Sequence, residues 1–221
     1  MTNLAIFDLD HTLISCDTEA CWVDFLYSKG LVNQDFLKKR DELFYQYANG
    51  SVNASEFIEF QLSSIIQLTT DDIHALYPEF FNKFIVPNIY PKAQYLINEH
   101  KKNHDTLLLL SASNILLITP IAHEFGIDNI IGVIPQVNKK GEFTGKVAGV
   151  PSFREGKVIR LQAWLDDRNQ TLDDFDKCWF YSDSINDLPL LDMVTHPCAV
   201  NADKKLAAVA KQRQWQILDF D

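Results

Sequence analysis

Two carboxylates stand one residue apart near the start of the chain, in AIFDLDHTL, where Asp8 closes an apolar run and Asp10 follows as the chain leaves it. A second acidic pair repeats the context in YSDSINDLPLL, with Asp183 just after the apolar run Cys178–Tyr181 and Asp187 four residues later. A single DxD reads equally well as loop acids or helix caps, with Thr12 as a capping hydroxyl. Two such pairs at the ends of two buried runs point instead to one acidic centre. Clustered carboxylates repel and do not all stay ionised without a cation. An oxygen-only donor set, with only His11 nearby to offer nitrogen, selects a hard ion such as Mg2+.

The pairs converge only if their strands are neighbours. Wholly apolar runs recur at Leu4–Phe7, Thr106–Leu110, Ile130–Ile134, Cys178–Tyr181 and Pro197–Val200. Continuous rather than alternating hydrophobicity implies strands covered on both faces, hence a parallel sheet between helix layers. Helical patterns fill the gaps at Asn114–Phe125, Arg154–Asp166, Leu188–Met193 and Asp203–Gln212. The repeat predicts a doubly wound, Rossmann-like α/β fold whose ligand crevice lies where strand order reverses. Two stretches interrupt it. Residues 16–90 carry no good buried strand but four amphipathic patterns, Glu19–Ser28, Asn33–Ala48, Ala54–Ile66 and Asp71–Phe84, punctuated at Asn49 and Gly50. They predict an inserted helical cap over the carboxyl end of the sheet, leaving 1–15 and 91–221 as the core domain. Val133–Val147, around Asn138-Lys-Lys-Gly141, predicts a β-hairpin.

The 221 residues are 47% hydrophobic and 23% charged, the balance of a folded soluble protein. A net charge of −10 disfavours nucleic acid and anionic membranes, so a phosphorylated ligand needs a local positive charge. Cys16, Cys21, Cys178 and Cys198 form no CxxC pair and no zinc spacing, as expected of reduced thiols in a cytoplasmic protein. The most apolar segment, Leu107–Ala122, is short and broken by Ser111, Ser113, Asn114, Thr119 and Pro120, so it reads as a strand entering a helix rather than a membrane span.

DxDxT after an apolar strand, a second strand ending in Ser111, then Lys157, then DxxxD resembles the four ordered motifs of the haloacid dehalogenase superfamily. The order extends over essentially the whole chain, which makes it far more specific than any one motif. The resemblance implies that Asp8 is a nucleophile forming an aspartyl phosphate and that Asp10 is the general acid and base, its backbone carbonyl contacting the metal. It implies Mg2+ held among Asp8, Asp10, Asp183 and Asp187, the last as ligand or support. Thr12, Ser111 and the adjoining backbone at Ala112 would bind phosphate, Lys157 would hold nucleophile and phosphate together, and Asn186 would contact the phosphate region. His11 occupies the variable position and takes no catalytic role.

The insert between the first motif and Ser111 is similar to the C1 cap of the phosphoserine-phosphatase-like branch, subfamily IB. ISCDTEACWVDFL, LLLLSASN, VNKKGEFTGKVAG and FREGKVIRLQAWL resemble that branch's general hydrolases more than its true phosphoserine phosphatases. The latter carry a Glu nine residues after the nucleophile, where this chain has Asp17, and a cap Arg for the substrate carboxylate, whereas GSVNASEFIEFQLSSI contains no Arg. Asp17 reads either as a partner for a substrate amine or as an N-cap. Trp22, Phe25, Tyr45 and Tyr47 read as pocket lining or helix-packing core.

The expected activity is therefore a Mg2+-dependent phosphatase on a small phosphorylated metabolite, such as the amino-alcohol ester histidinol phosphate, by a cytoplasmic monomer or homodimer with no nucleic-acid or membrane partner. The alternatives are phosphotransfer from the same aspartyl phosphate and a non-catalytic phosphate- or metal-binding protein on the same scaffold.

Overall fold

A computed structural model describes residues 2–48 and 53–220; the turn expected at Asn49 and Gly50 and the side chain of Tyr47 lie outside what it describes. Strand β1 (Thr2–Phe7) is central, and its Leu4, Ala5, Ile6 and Phe7 are fully buried. At ~1.5–3 kcal/mol for a fully buried large apolar side chain, such a strand is anchored from both faces. Alternation divides it, since successive side chains point to opposite faces. Ala5 and Phe7 face one apolar cluster, Leu4 and Ile6 the other.

Helices α1 (Thr18–Ser28), α2 (Gln34–Ala48), α3 (Ala54–Ser63) and α4 (Thr70–Phe80) follow β1, then a π-turn, a 3-10 turn and α5 (Pro91–Lys102). Strand β2 (Thr106–Asn114), α6 (Ile115–Glu124) and β3 (Asn129–Val133) lead into the antiparallel hairpin β4 (Pro135–Val137) and β5 (Phe143–Val147). The chain ends with α7 (Glu155–Asp166), β6 (Phe175–Ser182), α8 (Leu188–Leu191), β7 (His196–Val200), α9 (Lys204–Arg213) and β8 (Gln216–Leu218).

The main sheet has the order β3-β2-β1-β6-β7-β8 with every pair parallel, so the expected doubly wound α/β architecture is present. Trp22, Phe80, Ile97 and Ile118, from α1, α4, α5 and α6, cover the face of Phe7 and Leu109. Leu161, Leu191 and Leu206, from α7, α8 and α9, cover the face of Ile6 and Phe180. Connections toward β2 thus run over one face and those beyond β6 over the other, so the switch point falls between β1 and β6, whose ends carry Asp8 and Asp183.

Three local features depart from expectation. Helix α5 begins at Pro91 and buries Ala93, Ile97 and His100, a helical spacing at the expected domain border. The helix expected over Asp71–Phe84 stops at Phe80 and continues as a π-turn, with Pro78 in its last turn removing a backbone donor. Strand β8 is a three-residue edge strand, too short for a periodic signal. Within the helical insertion, α1 and α4 share the sheet's own core, whereas Leu43 and Phe57 of α2 and α3 anchor a separate small cluster. Ile58 and Leu62 of α3 pack with Val133 and Phe153, which seats α3 beside the hairpin. No helix among the described residues is long and apolar enough to cross a membrane.

Candidate active site

Asp8 is fixed by its backbone, its N–H donating to Tyr181 O across the β1–β6 junction at 2.9 Å. The turn beyond it requires a left-handed residue, supplied by His11 at φ +58°, and Thr12 and Leu13 donate their N–H groups back to Leu9 O. Asp10 enters this turn. Its Oδ1 accepts from Thr18 N at 2.8 Å and Thr18 Oγ1 at 2.5 Å, and its Oδ2 accepts from Ser113 Oγ at 2.5 Å. The start of α1 and the end of β2 therefore hold one carboxylate between them.

Lys157 lies in the first turn of α7 and is only 2% exposed. The loop before it is tight: a Cβ on Gly156 would lie 2.0 Å from Pro151 O, and Arg154 adopts φ +51°, a strained backbone for a non-glycine residue. Lys157 Nζ donates to Asp8 Oδ1 at 2.8 Å and to Asp187 Oδ2 at 2.6 Å. A 3-10 turn at Ile185–Asp187, capped by Ser184, delivers Asp187, whose Oδ2 also accepts from Ser182 Oγ at 2.6 Å.

The electrostatics follow from burial. Desolvation raises the Asp8 carboxyl above its ordinary range, with Asp10 adding repulsion and Lys157 opposing both. Burial raises Asp183 well above that range, reinforced by Asp8 and Asp187. Asp187 is likewise raised by burial, against Lys157. Burial alone would lower Lys157, but its two carboxylate partners hold it above the usual lysine value, so it stays charged. Glu19, buried behind Asp10, is pushed up to about 7 by desolvation against the N–H it accepts from Asn114.

Four aspartates facing one ammonium form an oxygen-rich, under-neutralised site that suits a hard cation. Among the described residues no three acidic, imidazole or thiol side chains are grouped to hold a metal unaided. Both Asp10 oxygens, one of Asp187 and one of Asp8 are engaged by side-chain bonds. Asp8 Oδ2 and Asp183 remain, with backbone carbonyl and water to complete a shell, as suits an ion that keeps its waters.

Asp8, Asp10, Asp17, Ser111, Ala112, Lys157, Asp183, Asn186 and Asp187 all line one cavity of about 550 Å³. Ser111 Oγ accepts from Ser113 N at 3.1 Å, which leaves its proton for a ligand. Asn186 Oδ1 accepts from Arg154 Nε at 3.1 Å, which leaves its amide NH2. Asp17 caps α1 through Ala20 N at 2.8 Å and also lines the cavity, and burial raises its carboxyl well above the ordinary range. Thr12 departs from its expectation as a phosphate donor. It is fully buried, and its hydroxyl lies 3.4 Å from Asp8 Oδ2 and 3.3 Å from Asp183 Oδ1, bracing the carboxylates from behind. Trp22 and Phe25 are core residues and Tyr45 is exposed, so none of these aromatics forms the wall. Sequence reasoning missed the wall that does exist, Phe44, Phe57, Ile58, Gln61 and Phe153, and the rim lysines Lys204 and Lys205. The wall spacing at Phe57, Ile58 and Gln61 was a visible helical signal, but one shared by any packed helix.

The family model for haloacid dehalogenase-like hydrolases matches residues 5–192. A histidinol-phosphatase of Neisseria meningitidis serogroup C is 41% identical over 221 residues, covering all of both chains. A solved Bordetella pertussis Tohama I protein of unknown function superposes with a TM-score of 0.94 at 36% identity, covering all of both chains. A phosphoserine phosphatase solved as a phospho-aspartyl intermediate analogue shares the fold, with a TM-score of 0.71 at 16% identity over all of this chain and 94% of that one. The chain belongs to the haloacid dehalogenase-like hydrolases, and within them it is a phosphoric monoester hydrolase.

Proposed function

We propose that this hydrolase cleaves a small amino-alcohol phosphate such as histidinol phosphate by passing the phosphoryl group to Asp8 and then to water. The observation that carries the reading is the separate fixing of two carboxylates over one cavity: Asp8 by Lys157 at 2.8 Å, Asp10 by Thr18 and Ser113 at 2.5 Å. A binding protein has no need of an oriented nucleophile beside an oriented proton carrier.

In the proposed sequence an Asp8 oxygen attacks phosphorus and the ester P–O bond breaks. Asp10, entering as the acid, gives its proton to the departing alkoxide. Asp10 then takes a proton from water, whose oxygen attacks the aspartyl phosphate, releasing inorganic phosphate and restoring Asp8. Lys157 holds positive charge beside Asp8 throughout, and Ser111, the backbone at Ala112 and Asn186 offer donors to the phosphate oxygens. Asp8, Asp183 and the Asp10 carbonyl would hold Mg2+, which when bound would neutralise charge between nucleophile and phosphate. Asp187 supports the site through Lys157. The reading keeps 1–15 and 91–221 as core and 16–90 as cap, and a cytoplasmic setting.

The Neisseria relative, matched over its full length, supports the histidinol phosphate assignment. So does a cavity whose described lining includes Asp17, able to face an amine, and no arginine for a carboxylate. The test is hydrolysis by the purified protein with Mg2+ present: histidinol phosphate is expected to exceed O-phosphoserine in kcat/KM by at least about 100-fold, with Asp8→Asn inactive on both. Preference for phosphoserine would overturn the substrate assignment, and an active Asp8→Asn the mechanism.

A further inference from the structure

The cavity, at about 550 Å³, is of small-molecule size, and the phosphate-handling groups lie where β1, β2 and β6 end. The helical insertion and the segment before α7 contribute a different surface, Phe44, Phe57, Ile58 and Phe153. Phe44 and Phe57 meet edge to face with ring centres 5.1 Å apart, which fixes the two rings against each other in the wall. One amide interrupts it. Gln61 stands one turn after Phe57, on the same face of α3. It is only 7% exposed and lines the cavity, yet its side-chain amide has no hydrogen-bond partner among the described residues. Its amide opens on the cavity, where a ligand that displaces water must either bond it or leave it unpaired.

The charges narrow the ligand. The lysines lining the cavity, Lys157, Lys204 and Lys205, come from α7 and α9. Arg40 of α2 is engaged by Asp24 and Asp41. Arg154, over the Phe153 ring at 5.0 Å, bonds Asn186 and is not among the described residues that line the cavity, so the apolar wall itself holds no cation among them. It offers flat rings and one amide that both donates and accepts.

We propose that Gln61 determines leaving-group specificity by hydrogen bonding to a ring nitrogen of a planar heteroaromatic group laid against the Phe44, Phe57 and Phe153 wall. A ring with one N–H and one bare nitrogen, such as imidazole, matches the amide in either orientation; a hydrocarbon ring of similar size fits the wall but leaves the amide unpaired. This assignment rests on the phosphatase reading above and extends it from the reaction to the leaving group.

The test compares kcat/KM for histidinol phosphate and phenylalaninol phosphate, esters that differ in the ring alone. The wild type is expected to favour the imidazole ester by roughly 100-fold. Gln61→Met, similar in length but without the amide, should reduce that ratio about tenfold, through the imidazole ester. Gln61→Asn, which withdraws the amide by one methylene but keeps its polarity, should reduce it as well and serves if the methionine variant does not fold. A wild type that treats both esters alike, or an unchanged ratio in either folded variant, overturns the role of Gln61 while leaving the phosphatase reading intact. A wild type that hydrolyses neither ester but turns over p-nitrophenyl phosphate removes the histidinol-type substrate, and Gln61's role with it.

Discussion

Lys157 Nζ lies 2.8 Å from Asp8 Oδ1, an ion pair that ties the first turn of α7 to the end of β1 across 149 residues of chain. The same nitrogen reaches Asp187 Oδ2 at 2.6 Å, so one buried ammonium compensates two buried carboxylates. Removing it leaves both carboxylates uncompensated, which in buried pairs costs about 3–5 kcal/mol. Lys157→Met is therefore expected to lose activity and most of that stability in urea unfolding. Adding Asp187→Asn should recover part of the stability and none of the activity; a fully stable Lys157→Met would contradict the ion-pair account.

Asp10 offers a cleaner separation of chemistry from binding. Thr18 and Ser113 touch its carboxylate through hydroxyls and fix its orientation. Ser113→Ala and Thr18→Val are each expected to lower kcat about 10- to 100-fold with little change in KM, since general acid–base catalysis contributes roughly 100- to 10,000-fold in full. Steady-state kinetics on histidinol phosphate check this. A rise in KM at constant kcat would instead make these residues substrate contacts.

Glu19 carries a pH signature. Its Oε1 accepts the Asn114 N–H at 2.8 Å, its Oε2 is buried without a hydrogen-bond partner among the described residues, and burial pushes its carboxyl from the ordinary 4.5 up to about 7. A carboxyl whose folded value lies above its unfolded value favours folding while neutral. That contribution is complete below pH 4.5 and is lost as pH rises toward about 7. Glu19→Gln should match the wild type near pH 4.5 and exceed it above pH 7 by on the order of 3 kcal/mol. Thermal unfolding across that range reads the divergence, and parallel curves would contradict it.

The acidic centre predicts its own dependence on cation. Mg2+ at about 100 times its Kd adds ~2.7 kcal/mol to the folded state by mass action, a rise of roughly 5–10 °C in Tm for a chain of this length. EDTA should reverse the rise, and Asp183→Asn should abolish it. A Tm indifferent to Mg2+ in the wild type would exclude the site as a cation holder.

Much of this was legible in the chain because the relevant signals are local. Continuous apolar runs marked β1, β2, β3, β6 and β7, and the acids at two of their ends marked the switch point before the strand order was known. Asn138-Lys-Lys-Gly141 marked the hairpin in the same way. Side-chain partnership was not legible. Nothing in DxDxT says that Thr12 turns behind Asp8, or that Ser113, 103 residues from Asp10, holds its carboxylate. Gln61 was hidden for a different reason: a polar residue on an amphipathic helix reads as solvent-facing unless the fold carries that face over a cavity. Helix α5 was missed although Pro91, Ala93 and Ile97 signal it, because the cap was expected to end there.

The central claim, that Asp8 becomes covalently phosphorylated, is tested most directly by acid-quenching the enzyme during turnover of 32P-labelled substrate and mapping the label by peptide mass spectrometry. The account predicts an acid-stable, hydroxylamine-labile phosphoryl group on Asp8 in the wild type, and none in Asp8→Asn. Steady product formation with no label on the protein, or label on any residue other than Asp8, would contradict it.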